Sequence, residues 1–351
     1  MPEISVIIPL FNAEKYIRQC LNSVLHQTFD DCEVIIVDDL STDRSVEIVE
    51  SMIDKFNGRL TLIKRDKNSG GAATPRNIAL EIAKGNYIFF LDGDDVIIRD
   101  ALKILIEPAR NFDADVVHVE KYFVTAEDII NAKSKLRLET HQAAPFVDKP
   151  TVETNVIAER IERFCRKNFL WWACSKLFRR NFLIENNVKF IPIASTEDMI
   201  FSFETVCLAK TYVRIPDTVY VYRQTQNSAT RGELNIDKKL QRYVTILSEG
   251  TRELERFMNG LKFFVEHPNY RYAVLNFFVQ SNVGWEAPLY LKAPAFKLDE
   301  LLRENFSTEF ADNPTLATQL FSLANLYRIK ISQLQNRLAT LQRKNTNGGA
   351  P

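Results

Sequence analysis

The sequence is poor in several features that would settle its class at once. Its 351 residues carry no net charge, with 45 Lys and Arg against 45 Asp and Glu, so no bulk positive field exists to hold nucleic acid irrespective of its sequence. Only five cysteines occur, Cys20, Cys32, Cys165, Cys174 and Cys207, an odd number with no C-x-x-C pair. That indicates neither a disulfide framework nor a zinc ribbon and fits a reducing compartment. The four histidines, His26, His118, His141 and His267, are scattered and give no metal-binding pattern. No basic stretch followed by an apolar run opens the chain, and no run reaches the roughly 18 apolar residues of a membrane span. The expectation is a cytoplasmic protein, at most peripheral at the inner face of the cell membrane.

What is present is an ordinary globular composition, 46% hydrophobic and 26% charged, over a length that suits two domains or one domain with an extension. The charge is unevenly placed. The first hundred residues hold 17 acidic and 11 basic side chains, and an opposite surplus follows. No acidic residue comes after Asp312, whereas Arg328, Lys330, Arg337, Arg343 and Lys344 do.

Through residue 120, β-branched runs at 4–8, 34–37, 60–64, 87–91 and 115–119 alternate with helical patterns at 13–28, 45–56 and 76–84. Uninterrupted apolar strands separated by helices predict βαβ units and a parallel sheet covered on both faces. Polar loops follow the strands at Asn12, at 38–43, at 68–74 and at 92–95. In an open parallel sheet such loops line a crevice beyond the carboxyl ends of the strands, and the acidic surplus lies there.

Asp92-Gly93-Asp94-Asp95 directly follows an apolar strand. Its carboxylates suit hard cations, Mg²⁺ or Mn²⁺, that bridge to substrate phosphates, and the alternative is a turn with helix-capping aspartates. Asp38 and Asp39 repeat the arrangement at the end of the second strand, and like charges converging on one crevice require a compensating cation or donor. Asp43 reads as structural. In Gly70-Gly71-Ala72-Ala73-Thr74-Pro75-Arg76-Asn77, Pro75 suits the first position of a helix and Arg76 its mouth, where it faces a phosphate, an aspartate or solvent.

These segments resemble the family 2 inverting glycosyltransferases of the GT-A fold, which use nucleotide-diphospho-sugars. The resemblance rests on Ser5-Val6-Ile7-Ile8-Pro9-Leu10-Phe11-Asn12, Val37-Asp38-Asp39-Leu40-Ser41-Thr42-Asp43, Gly70-Gly71 with Arg76-Asn77, and Phe90-Leu91-Asp92-Gly93-Asp94-Asp95. It implies an α/β, Rossmann-like GT-A domain with a mainly helical C-terminal extension. It implies that Pro9 and Phe11 flank the nucleotide base, that Asp39 hydrogen-bonds it, that Asp92 faces the ribose and the metal shell, and that Asp94 ligates Mn²⁺ or Mg²⁺. Asn12, Asp38, Arg76 and Gly93 join them as substrate-binding candidates. Phe11 and Leu40 depart from the family's usual Tyr and Gly, so the turn at Leu40 is expected to avoid positive φ.

Further on, Ser175-Lys176-Leu177-Phe178 and Thr196-Glu197-Asp198-Met199-Ile200-Phe201 resemble two more family segments. They imply Asp198 as general base, with Glu197 as its competitor, and Lys176 as a substrate contact; an acidic cap on a helix at 199–209 is the alternative. Tyr222-Arg223 with Ser228 and Thr230 resembles a closing segment over the diphosphate. Trp171-Trp172, just ahead of the first of these segments, is the acceptor-site candidate among the aromatics, with Trp172 as the substrate contact, while Tyr270, Tyr272, Trp285 and Tyr290 read as core.

The expected divisions are a nucleotide-sugar-binding half at 1–120, an acceptor-binding and catalytic half at 121–230, a helical extension at 231–311, an amphipathic helix at 312–344 and a disordered tail at 345–351. Leu320, Ala324, Tyr327, Ile331, Leu334, Leu338 and Leu341 form a heptad seam in that helix, open to packing on its own domain, homo-oligomer formation or contact with an anionic membrane. The expected partners are a nucleotide-diphospho-sugar, a UDP-sugar first, and a glycan or lipid-linked acceptor. Haloacid-dehalogenase-like phosphatases place D-x-D after the first strand, and nucleotidyltransferases open with a Gly-rich basic loop; neither fits. A catalytically silent sugar-nucleotide binder or scaffold is the rival reading.

Overall fold

A computed structural model describes residues 1–131, 134–140, 146–166, 169–224, 236–292, 300–301 and 304–305, without the side chains of 140, 236 and 283–292. The chain forms two compact units, Met1–Gly232 with Glu253–Val274 and Glu233–Arg252 with Leu275–Pro351. The heptad seam, the tail, Ser228, Thr230 and the Trp285 and Tyr290 side chains lie outside the described residues.

The first unit is built on a ten-stranded sheet. In chain order its elements are β1 (Ile4–Leu10), α1 (Ile17–Leu25), β2 (Cys32–Asp38), α2 (Ser45–Glu50), β3 (Leu60–Lys64), α3 (Ala73–Ile82), β4 (Tyr87–Phe90), β5 (Val96–Ile97), α4 (Ala101–Asn111), β6 (Val116–Thr125), β7 (Arg137–Thr140), β8 (Thr151–Val152), α5 (Ile157–Cys165), β9 (Lys176–Arg179), α6 (Arg180–Glu185), α7 (Glu197–Leu208) and β10 (Tyr212–Arg223). Helices α8 (Ile236–Asn259), α9 (Lys262–Glu266) and α10 (Pro268–Lys292) follow. In the second unit, a Cβ at Gly250 would run into the Phe278 ring, so glycine allows α8 and α10 to pack closely there.

β1, β2, β3 and β4 are mutually parallel, in the order β3-β2-β1-β4. Val6, Ile7, Ile8, Val34, Ile36, Ile88, Phe89 and Phe90 are essentially inaccessible to solvent, as expected of strands covered on both faces. Beyond β4 the sheet becomes mixed. β9 pairs antiparallel with both β4 and β6, and β10 runs parallel to β6. The strands that precede β9, β7 and β8, already run antiparallel to β6 and β10 respectively, so the chain has reversed before β9 enters the sheet. The 120/121 division falls inside β6, which continues to Thr125 and carries β7 on its side. Pro75 is the third residue of α3 rather than the first; its missing N–H is tolerated throughout a first turn.

Candidate functional site

The carboxyl ends of β1, β2 and β4 bring three loops together. Asn12 and the 41–45 turn are tied to each other: Ser41 Oγ accepts from the Asn12 N–H at 3.0 Å and Asn12 Oδ1 accepts from the Thr42 N–H at 2.8 Å. Asp43 accepts from the Ser45 N–H at 2.9 Å and the Glu14 N–H at 3.0 Å, a structural role. Asp38 accepts from the Ser41 N–H and shapes the same turn. Leu40 sits at φ 67°, contrary to the expectation that this turn avoids positive φ. Asp38 and Asn12 fix the turn from both ends, and the local strain of an L side chain is tolerated.

Asp39, 3% exposed, is held by Arg65 and by the Ser69 N–H and hydroxyl at 2.9 and 2.8 Å. Phe11 projects its ring to solvent, half exposed, beside Pro9 at the end of β1. Gly93 lies close against β1: a Cβ there would sit a tight 3.3 Å from the Pro9 carbonyl oxygen. That close approach binds the β1 and β4 loops into one floor.

Asp92, Asp94 and Asp95 then divide. Asp95 is turned inward, 1% exposed, accepting from Tyr220 OH at 2.6 Å and the Arg223 N–H at 2.7 Å. Burial, reinforced by Asp94 and Asp92, pushes its carboxyl well above the ordinary range. Arg223 donates from Nε to the Asp94 carbonyl at 2.7 Å, from its Nη atoms to Glu127 O and Asp128 O and to Gln19 Oε1, and lies over the Tyr16 ring. The side chains of Asp92 and Asp94 are partly exposed.

Arg76 links this loop to the second set of acids. Its Nη2 donates to Asp92 Oδ1 at 2.7 Å, and its Nη1 donates to Asp198 Oδ1 at 2.9 Å and Glu197 Oε1 at 3.3 Å. The guanidinium is 3% exposed and rests over the Phe190 ring. Burial alone would lower its pKa, but Asp198, Asp92 and Glu197 outweigh that and raise it well above its ordinary value. Glu197 and Asp198 open α7, after Thr196 in a left-handed conformation. Burial, with Asp198 adding to it, pushes Glu197 up to about 7. Asp198 is also raised by burial, opposed chiefly by Arg76. Asp198 Oδ2 accepts from the Ala173 N–H at 3.4 Å, so both of its oxygens have a donor.

Lys176, expected to touch substrate, is instead fully buried. Its Nζ donates to Leu170 O at 2.5 Å, Trp172 O at 2.9 Å and Ser175 Oγ at 3.1 Å. It holds the 170–175 loop from beneath, and burial brings its pKa down to about 7. Trp172, one residue before Ala173, packs its ring against Tyr122 and Tyr222 at 4.6 and 5.2 Å between centroids.

Thus Pro9, Phe11, Asn12, Asp38, Asp39, Arg76, Asp92, Gly93 and Asp94 gather at the strand ends, and Arg76 joins Glu197 and Asp198 to them. Sequence reasoning missed Arg65 and Ser69 on Asp39, Tyr220 on Asp95, and Phe190 beneath Arg76. None of these carries a local signal, because each acts across a distant stretch of chain. Among the described residues no three His, Cys, Asp or Glu side chains converge as a metal cage, and no helix is long and apolar enough to cross a membrane.

The model of the glycosyl transferase family 2 matches residues 5–185. The glycosyltransferase EpsJ of Bacillus subtilis is 29% identical over 231 residues, covering 66% of this chain and 63% of that protein. The poly(ribitol-phosphate) beta-N-acetylglucosaminyltransferase TarS of Staphylococcus aureus is 31% identical over 225 residues, 63% of this chain and 35% of that protein. The chain therefore spans less than two thirds of the length of these relatives. The crystal structure of residues 1–349 of S. aureus TarS with UDP-GlcNAc superposes with a TM-score of 0.60 at 22% identity, covering 95% of this chain and 92% of that one, which shows a shared fold. With the family match extending over just over half of the chain, the protein belongs to glycosyl transferase family 2.

Proposed function

We propose that the protein is an inverting, metal-dependent glycosyltransferase that moves one sugar from a nucleotide-diphospho-sugar to a hydroxyl of a glycan or lipid-linked acceptor in bacterial surface-polysaccharide assembly. The observation that carries this is Arg76, whose one guanidinium spans Asp92 on the donor side and Asp198 at the start of α7. A donor-side carboxylate and a base candidate so close together suit a direct displacement.

The base of the nucleotide would lie against Phe11 and Pro9 and be hydrogen-bonded by Asp39. Asp92 and Asp94 form an oxygen donor set of the kind that Mg²⁺ or Mn²⁺ takes with one or two carboxylates and substrate phosphates. Arg76 occupies Oδ1 of Asp92, while among the described residues no hydrogen bond engages Oδ2. When bound, the ion would neutralise the diphosphate leaving group. Asp198 takes the proton of the acceptor hydroxyl as its oxygen bonds to the anomeric carbon, and the bond from that carbon to the diphosphate oxygen breaks on the far side, inverting the centre. Arg76 and the Ala173 N–H keep Asp198 oriented and ionised, and Glu197, raised to about 7, fits a partner that holds its own proton better than a competing base. Trp172, with Tyr122 and Tyr222 against it and next in sequence to the Ala173 N–H that binds Asp198, offers an apolar ring for an acceptor sugar.

A UDP-sugar is the favoured donor because TarS, named as an N-acetylglucosaminyltransferase, has been solved with UDP-GlcNAc. The reaction would take place in the cytoplasm, and the rival reading remains a silent sugar-nucleotide binder. A thermal-shift screen of nucleotide sugars with Mn²⁺, followed by transfer assays, tests both. Stabilisation by UDP-sugars, with transfer lost in Asp94→Ala and in Asp198→Asn, supports the enzyme. Stabilisation without turnover supports the binder, and transfer surviving Asp94→Ala defeats the metal assignment.

A further inference from the structure

Residues 186–196, between α6 and α7, form neither helix nor strand, yet they deliver Glu197 and Asp198 to the site. This loop ends in an unfavourable turn. Thr196 is β-branched and sits at φ 67°, and its buried hydroxyl has no hydrogen-bond partner. Such a conformation persists only when its surroundings over-determine it.

The surroundings that do so come from α3. Asn77 Nδ2 donates to the Phe190 carbonyl at 2.7 Å, and the Phe190 N–H donates back to Asn77 Oδ1 at 2.9 Å. This reciprocal pair joins positions 113 residues apart. It presents the Phe190 ring 5.1 Å beneath the Arg76 guanidinium and stacks it on Phe201 of α7 at 4.0 Å and 2°. Arg76 Nε is buried with no hydrogen-bond partner, so the aromatic face, together with the three carboxylates, sets the guanidinium plane. Just before α3, a Cβ at Gly71 would lie 3.3 Å from the Ile193 carbonyl oxygen, so the same loop is also packed from the side.

The geometry points to Asn77 as a positioning residue for the transfer step. Its amide latches the 186–196 loop to α3 and thereby fixes where Asp198 stands relative to Asp92. Arg76 and Asn77 are neighbours in sequence with complementary tasks: one binds the acid side chains, the other the backbone of the loop that carries them. The catalytic part of this assignment rests on the reading of Asp198 as base; the latch itself does not.

The test is Asn77→Ala in the full chain, read by hydrogen exchange and by steady-state transfer from a UDP-sugar with Mn²⁺. The latch predicts faster exchange at residues 186–196, with β1 unchanged. It also predicts that kcat falls about tenfold to a hundredfold while the donor KM stays within about threefold, since a displaced base impairs the reacting geometry more than donor binding. Unchanged exchange overturns the latch, and faster exchange with wild-type kcat overturns the positioning role. If Asn77→Ala does not fold, Asn77→Asp, which keeps the acceptor for the Phe190 N–H but loses the donor to its carbonyl, is read in the same way with smaller changes. A wild-type chain that transfers no sugar brings down the functional reading and the positioning role with it, whereas the exchange result still decides the latch.

Discussion

Arg76 and Arg223 are both almost inaccessible, 3% and 1% exposed, and both meet the loop at Asp92-Gly93-Asp94-Asp95, but their surroundings differ. Arg76 is bound by three carboxylates, those of Asp92, Glu197 and Asp198. Arg223 is bound by neutral oxygens: the carbonyls of Asp94, Glu127 and Asp128 and the amide of Gln19. A buried cation among anions is a pairing whose loss leaves several uncompensated charges. A buried cation among carbonyls is a brace, and the charge it lends to Asp94 and Asp95 acts through space. The first arrangement suits chemistry, since its anions can exchange partners; the second suits rigidity.

The comparison breaks most visibly at Arg76. Arg76→Ala is expected to abolish transfer and to destabilise the fold by about 3 kcal/mol in urea unfolding, the exposure of Asp92 keeping the loss at the lower end. Arg76→Lys should restore much of the stability but little of the activity, because an ammonium lacks the fork that spans Asp92 and Asp198. Arg223→Lys is expected to cost about 1–3 kcal/mol through lost hydrogen bonds and to weaken Mn²⁺ binding, measured by calorimetry with UDP, more than it lowers kcat. If the two lysine variants behave alike, the distinction between pairing and brace is wrong.

A smaller effect concerns pH. Burial, with Glu253 adding to it and Arg256 opposing, pushes Glu204 up to about 8 from an ordinary 4.5. The native state therefore keeps a proton that the unfolded chain releases, so this contribution is complete below the lower value and is lost as pH climbs through the higher one. The melting temperature should fall between about pH 4.5 and about pH 8, and Glu204→Gln should shrink that fall. A pH dependence untouched by the substitution would leave Glu197 and Asp95, raised by the same cause, as its source. The smallest effect is at Leu40. Leu40→Asn, better suited to φ 67°, should stabilise by about 0.5–1 kcal/mol without altering kcat.

Much of this could be read in the residues, for reasons that also explain what could not. β1, β2 and β4 were legible because strands buried on both faces require uninterrupted apolar runs, and the edge strand β3, with Thr61 and Lys64 exposed, through its β-branched and apolar residues. β7 and β8, short and at the margins, impose no such pattern, and the four residues of β9 stood out only through the resemblance of Lys176 and its neighbours. The aspartates at the strand ends were legible as a group, since a parallel sheet gathers such loops. Their individual duties were not: the inward turn of Asp95 depends on Tyr220, and the buried path of Lys176 on the carbonyls of Leu170 and Trp172. Leu40 was misjudged because local propensity was weighed without the hydrogen bonds of Asp38 and Asn12 that force the turn.

The place of β9 has a consequence for the order in which the chain acquires its structure. β4 is complete at Phe90, yet the neighbour on its open side begins at Lys176. At a synthesis rate of roughly 5–20 residues per second, the β4 edge waits on the order of ten seconds for its partner to emerge. During that interval an apolar strand is open to wrong pairing. The nascent N-terminal half is thus the stage at which this protein depends most on shielding by a chaperone or the ribosome, and a stall placed between codons 95 and 175 would expose it.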